Sequence, residues 1–260
     1  MVRFGVLLAA LLGLLACSRG PEDDLSGAGA VRIAAAASLK PVLPDVVAEY
    51  ARKHPGARVT VTYGASGNFY AQLSQGAPFD VFLSADMAYP QRLAEAGLVA
   101  GDPRVYAAGR LVLWSLRSSN LNTEWPGVLE GEEVRRIAIA NPRHAPYGRA
   151  AEEALRAAGV LDRVQPKLVF GESVEQAATF VRTGSAEVGL LPKSQAVAPP
   201  MLDEGVWTDI PDELYEPILH GAVVMKSAAE ADAAGSFVDF LFGPEARAIF
   251  ARGGLGRPSE

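Results

Sequence analysis

Ile33-Ala34-Ala35-Ala36-Ala37-Ser38-Leu39-Lys40-Pro41 is the stretch that decides the fold. It reads as a buried strand that stops at a serine and turns into a helix. Small residues before Ser38 let other backbone approach closely. Beyond it, Leu39, Leu43, Val46, Val47 and Tyr50 share one helical face. Ser38 stands at the expected N-cap, with the prolines confined to the first turns. Such a corner aims free backbone N–H groups and a hydroxyl at one point, which suits an anion. A lone serine of this kind more often only caps its helix. The anion reading therefore depends on finding the device again.

It recurs downstream. Val59 to Tyr63 is a β-branched run, and Gly64-Ala65-Ser66-Gly67 turns it into a helix at Ser66. Asp80 to Ser84 is a strand, Asp86 a cap for a helix over Met87 to Ala96, and Gly97 its stop. After a composition shift near Ala107 to Gly109, Leu111 to Leu116 and Arg136 to Ala140 are strands, with a loop from Ser118 to Gly131. His144 to Gly148 is a turn from which a helix starts at Tyr147. Leu168 to Phe170 leads through Gly171-Glu172-Ser173 into a helix starting at Val174, with Ser173 and Gln176 at capping-box spacing. Val188 to Leu191 and Ala222 to Met225 are strands, Val206 to Ile218 a connection, and Gly253 to Glu260 a loose tail. Alternating strands and helices mean an α/β fold with mixed, mainly parallel sheets. No repeat of fixed period is visible.

Hydrophobic residues at 49% and charged residues at 21% are an ordinary globular balance with enough apolar material for a core. The net charge of −6 argues against a nucleic-acid partner. Residues 1–16, with Arg3 ahead of an apolar run from Val6 to Leu15, read as a signal peptide too short to span a bilayer. Leu14-Leu15-Ala16-Cys17 resembles a lipobox, in which the chain is cut before the cysteine and the cysteine is lipidated. Cys17 is the one cysteine, so no intrachain disulfide can form. Residues 17–30 read as a tether from that lipid to the domain.

With Ala35-Ala36-Ala37-Ser38-Leu39, Tyr63-Gly64-Ala65-Ser66-Gly67 and the block from Gly76-Ala77-Pro78 to Asp86, the chain resembles the periplasmic molybdate-binding proteins of the molybdate ABC importer. Asn141-Pro142 through Tyr147-Gly148, Gly171-Glu172-Ser173-Val174 and Gly243-Pro244-Glu245-Ala246 keep that family's order and spacing, from about Val31 to about Gly256. The resemblance implies a two-lobed, type II periplasmic-binding-protein fold. Lobe 1 would be 31–107 and 222–260, lobe 2 would be 108–221, and the ligand would lie in the cleft. By motif position, Ser38 and Ser66 would give hydroxyl and backbone donors, and Tyr147 and Val174 backbone N–H donors. The Tyr147 side chain would be irrelevant to that contact. Some family members carry a tyrosine ligand where this chain has Pro192, which offers neither hydroxyl nor N–H.

The resemblance implies an extracytoplasmic, monomeric protein, lipid-anchored through Cys17, that captures molybdate or tungstate for an importer's membrane permease. It would need no cofactor, would hold molybdenum only as the oxyanion, and would catalyse nothing. Two alternatives stay open: another oxyanion such as sulfate or phosphate, and a serine hydrolase. For the latter, a nucleophile elbow needs Gly-x-Ser-x-Gly, and Asn68 stands at its last position. His54, His144 and His220 are too scattered for a metal motif; His144, close in sequence to Tyr147, either borders the cleft or, as the default reading, sits in a surface turn. Asp80 and Asp86 read as structural, and Trp114, Trp125 and Trp207 as packing residues.

Overall fold

The computed structural model describes residues 30–257 except Asn122. The leader, Cys17 and most of the tether therefore lie outside the described residues. The chain begins with β1 (Ala30–Ala36), α1 (Leu43–Lys53), β2 (Arg58–Gly64), α2 (Ser66–Ser74), β3 (Val81–Ser84), α3 (Ala88–Glu95) and β4 (Val99–Gly109). It continues with β5 (Leu111–Leu116), β6 (Ile137–Ala140), α4 (Pro146–Ala157), α5 (Leu161–Val164), β7 (Leu168–Gly171) and α6 (Val174–Arg182). Then come β8 (Val188–Pro192), α7 (Lys193–Ala196), α8 (Met201–Glu204) and β9 (Gly205–Asp209), before β10 (Ile218–Met225), α9 (Ala231–Phe240) and α10 (Pro244–Arg252).

These strands build two five-stranded sheets, ordered β2-β1-β3-β10-β4 and β7-β6-β8-β5-β9. In each, the first three strands pair in parallel and the fourth runs against both neighbours. Four strands of five thus share a direction, and the sheets are mixed and mainly parallel. The two orders are one topology used twice, although no repeat shows in the sequence. The antiparallel strand of each sheet arrives from the other sheet's end of the chain. β4 passes through Arg110 into β5, and β9 leads back to β10. The exchange at Gly109 and Ile218 lies a few residues from the boundaries at 107/108 and 221/222 that the sequence suggests.

Local chemistry explains where elements depart from expectation. Ser38 does not cap α1. A helix starting there would need Pro44 to donate to the carbonyl of Lys40, which proline cannot do. The chain instead makes a 3-10 turn over Ala37–Leu39, and α1 starts at Leu43 with Pro44 in its first turn. β4 is an edge strand, paired with β10 alone, so it tolerates Pro103 within its run. Its Gly101-Asp102-Pro103 segment has the composition of a turn, which hides the strand in the sequence. The connection after Val206 contains β9, held on the edge of the second sheet by β5. Nor is the tail loose as far as Gly256: Leu255 is buried, and Gly256 bridges to Ala108.

Asp80 is fully buried at the start of β3. Burial works against its charge. Arg32 and the backbone N–H of Ala229 outweigh that and hold the carboxyl below its usual range. Its role is structural. Trp114 is likewise fully buried, with Nε1 donating to the Met201 carbonyl at 3.3 Å.

Candidate functional site

Parallel strands that feed helices leave a crevice at their carboxyl ends. Here two such crevices face each other. Ser38 follows β1 and Tyr147 follows β6, the second strands in the two sheet orders. Ser66 follows β2 and Val174 follows β7, the edge strands. The four residues picked from sequence are thus two pairs of equivalent corners, each pair drawing one corner from each half. All four line one cavity. With its mouth, that cavity holds about 220 Å³ of empty space. Ser38 and Ser66 are each 1% exposed, Tyr147 2% and Val174 6%. No lining residue carries a formal charge.

Among mostly small apolar residues, the polar groups that the cavity wall offers are donors. Ser66 and Val174 are the first residues of α2 and α6, and Tyr147 is the second of α4. Their N–H groups have no intrahelical acceptor, and none donates elsewhere among the described residues. Neighbouring N–H groups are already used. Gly148 and Arg149 donate to the Ala145 carbonyl, and Gln176 donates to Ser173 Oγ. Gln176 Oε1 accepts from Glu172 N–H, so the expected box closes one residue early.

The two serine hydroxyls differ. Ser66 Oγ accepts the N–H of Ala85 at 3.0 Å, which leaves its own hydrogen to donate. Ser38 Oγ is buried with no hydrogen-bond partner. Its carbonyl, free because no helix starts there, accepts Ser194 Oγ at 2.7 Å. The third corner of each half thus supports a site residue of the first half: Ala85 after β3 holds Ser66, and Ser194 after β8 holds Ser38. Pro192, the last residue of β8, is buried and absent from the cavity wall.

The Ser38 carbonyl bond crosses from one half to the other, and so do several further contacts. Gly67 N–H donates to the His144 carbonyl at 2.9 Å. Arg149 pairs with Asp86, and Lys40 with Glu175. The cleft is closed. His144 borders it and is not a mere surface turn, because α2 meets its backbone. Asp86 does cap, accepting Tyr89 N–H at 3.2 Å, and reaches across the cleft as well.

Sequence reasoning missed the partners of Tyr147. Its hydroxyl lies 3.3 Å from His220 Nε2, and both side chains are buried. Burial pushes the His220 imidazole down to about 3, so the ring is neutral at ordinary pH. Burial likewise drives the Tyr147 phenol far above its usual range, Tyr215 adding to the rise; the Ser38 hydroxyl lies near enough to oppose it but outside hydrogen-bond geometry. The Tyr147 side chain therefore anchors α4 against β10 while its N–H lines the cavity. Gly109 makes room for it: a Cβ there would lie 2.1 Å from the phenol oxygen. A histidine far along the chain with no motif around it gave no signal of this.

Residues 31–256 match the family described as bacterial extracellular solute-binding protein. The chain is 38% identical to the molybdate-binding protein ModA of Azotobacter vinelandii, over 94% of each chain. It is 40% identical to ModA of Rhodobacter capsulatus, over 88% of this chain and 89% of that one. The solved Azotobacter vinelandii periplasmic molybdate-binding protein superposes with a TM-score of 0.82 at 35% identity, over 88% of this chain and all of that one. Two lobes of one topology are the type II periplasmic-binding-protein architecture, and this chain belongs to the bacterial extracellular solute-binding proteins.

Proposed function

We propose that this protein captures molybdate outside the cytoplasm and delivers it to the membrane permease of an ABC importer. As a solute-binding protein it is a transport component and not an enzyme. The observation that carries the reading is the Ser38 hydroxyl, buried on a cavity wall with no partner. A buried hydroxyl left unpaired costs about 1–3 kcal/mol, a cost that a bound oxyanion removes. The relatives named for molybdate supply the identity of the anion.

In this reading Ser38 and Ser66 donate through hydroxyl and backbone, and Tyr147 and Val174 through backbone N–H. Fixed N–H dipoles in a dry site balance the charge without a lysine or arginine. Backbone N–H groups can only donate, so the site favours a fully deprotonated dianion; a ligand proton would find an acceptor only in a serine hydroxyl, which would then stop donating to it. That disfavours protonated phosphate. Sulfate is met by size, because a smaller anion fails to reach all donors. Tungstate nearly equals molybdate in size and charge and binds with it.

Calorimetric titration of the soluble chain from Ser18 to Glu260 tests this directly. Molybdate and tungstate should each bind one to one, with no heat from sulfate or phosphate. Binding of sulfate or phosphate alone would move the protein to another anion. Ser38→Ala should weaken molybdate binding by about 1.5–3 kcal/mol, the range for a hydrogen bond to a charged group. Wild-type affinity in the folded variant would remove Ser38 from the site.

The protein works as a monomer held to the membrane by lipid on Cys17. Among the described residues no helix is long and apolar enough to cross a bilayer. Cys17→Ser should release the protein from membranes and leave anion binding intact. Retention of the variant in washed membranes would refute the anchor.

A further inference from the structure

Among the described residues two ion pairs cross the closed cleft beside the cavity, and they are not equivalent. Lys40 and Glu175 are about half exposed, and a lysine on a flexible stem holds no fixed distance. Arg149 and Asp86 are different. The Asp86 side chain is only 11% exposed, against 39% for Arg149. Its Oδ1 accepts the Ser84 hydroxyl at 3.1 Å and Tyr89 N–H at 3.2 Å, and its Oδ2 accepts Arg149. Arg149 lies in the first turn of α4, with its N–H bonded to the Ala145 carbonyl at 3.1 Å and its guanidinium 6.0 Å from the Tyr89 ring centre.

Each end of this pair is tied to a wall of the cavity. On one side Ala85, the residue before Asp86, donates its N–H to Ser66 Oγ at 3.0 Å. On the other, Arg149 stands two residues beyond Tyr147 on the same helical turn. The path Ser66–Ala85–Asp86–Arg149–Tyr147 therefore runs from a donor of one lobe to a donor of the other. Its only flexible member is the Arg149 side chain, whose planar guanidinium donates to Asp86 and lies beside the Tyr89 ring.

We infer that the Arg149–Asp86 pair is a positioning strut that fixes the width of the closed cleft and so sets which size of tetrahedral oxyanion meets both lobes at once. The inference rests on the molybdate reading above. Loss of the strut lets the donors of the two walls drift apart. An anion that fills the cavity then loses contacts. A smaller one, which never reached all of them, loses little.

Arg149→Gln, Asp86→Asn and the double variant test it, with molybdate and sulfate titrated against each and molybdate release followed by stopped flow. Asparagine keeps an oxygen for Tyr89 N–H, so the α3 cap survives. Each single change should weaken molybdate by about five- to tenfold, the reach of a half-buried cross-cleft pair. The loss should fall almost wholly in faster release. Sulfate, too weak to give heat, is read by its competition against molybdate, and its affinity should change less than about twofold, so the preference narrows. The double variant should bind no more weakly than the weaker single one, because both break one interaction. Release rates near wild type in both singles, equal weakening of both anions, or additive losses would each overturn the strut. Should Arg149→Gln not fold, Arg149→Lys with Asp86→Asn carries the same comparison. Wild-type protein that takes sulfate and refuses molybdate would overturn the molybdate reading instead. The strut would then stand or fall on whether the singles weaken sulfate and the double adds nothing.

Discussion

Val174→Pro should lower molybdate affinity by at least about 1.5–3 kcal/mol, roughly tenfold to 150-fold, in a protein that still folds. Proline normally wrecks a helix, yet here it suits the backbone. Val174 is the first residue of α6, where proline is favoured because the helix makes no use of that N–H. Ser173 before it is extended, at φ −147° and ψ 169°, which proline requires of its predecessor. The substitution therefore deletes one backbone donor from the cavity and little else. A ring carbon then faces an anion oxygen, so steric loss adds to the lost bond. Val174→Ala is the control: it keeps the N–H and should bind nearly as the wild type does. Thermal melts establish that both variants are folded. If the proline variant bound like wild type, the donor at Val174 would play no part in the site.

Gly67→Ala should separate closure from stability. Gly67 sits inside the first turn of α2, where alanine favours the helix by about 0.5–1 kcal/mol. Its added carbon, however, would lie 2.7 Å from His144 Cβ, 2.8 Å from His144 Cα and 2.6 Å from the Tyr89 hydroxyl. The hydroxyl end of Tyr89 can shift. The backbone of His144 belongs to the opposite lobe and moves away only if the cleft opens. The clash thus falls on the closed state, at about 1–3 kcal/mol for an overpacked contact, or roughly 5- to 150-fold in affinity. A ligand shifts the open–closed balance only by its preference for the closed state, and that preference is what the extra carbon opposes. Titration should show weaker molybdate binding, small-angle scattering a less compact liganded form, and melting of the unliganded protein no loss. Wild-type affinity together with wild-type compaction would mean that the Gly67–His144 contact is dispensable.

The four cavity residues are legible in the sequence because each stands at a strand-to-helix corner, and such corners announce themselves by local chemistry: small residues, a serine or a proline, then a 3.6-residue apolar rhythm. The α/β architecture is legible for the same reason. What stays hidden is long-range. β4 and β9 are edge strands whose neighbours in the sheet are β10 and β5, more than a hundred and nearly a hundred residues away in sequence, so neither run needs a strong apolar pattern. The Ser38 turn has the local pattern of a cap and is not one, because two prolines compete for one helix start and Pro44 decides it. Arg149, Ser194 and His220 give no signal, since each acts through a partner brought in by the closing of the lobes. His220 in particular is a neutral ring that a phenol and two lobes enclose, and nothing around it in sequence says so.

The exchange of strands between the two sheets also bears on the order in which the molecule can assemble. The second sheet needs only residues from Leu111 to Asp209, a continuous stretch that can pair as soon as it is available. The first cannot close until Ile218 to Met225 arrive, because β10 is the strand that pairs with β4 and lies between it and β3. A chain that emerges from its amino end therefore has the opening half of its first lobe waiting, with β3 and β4 unpaired along facing edges, while the lobe that comes next is already complete. Loop closure over so long a span is slow, and unpaired edges are what aggregate. The strand that finishes the first lobe also carries His220, so the ring behind Tyr147 is set in place only when the last sheet closes.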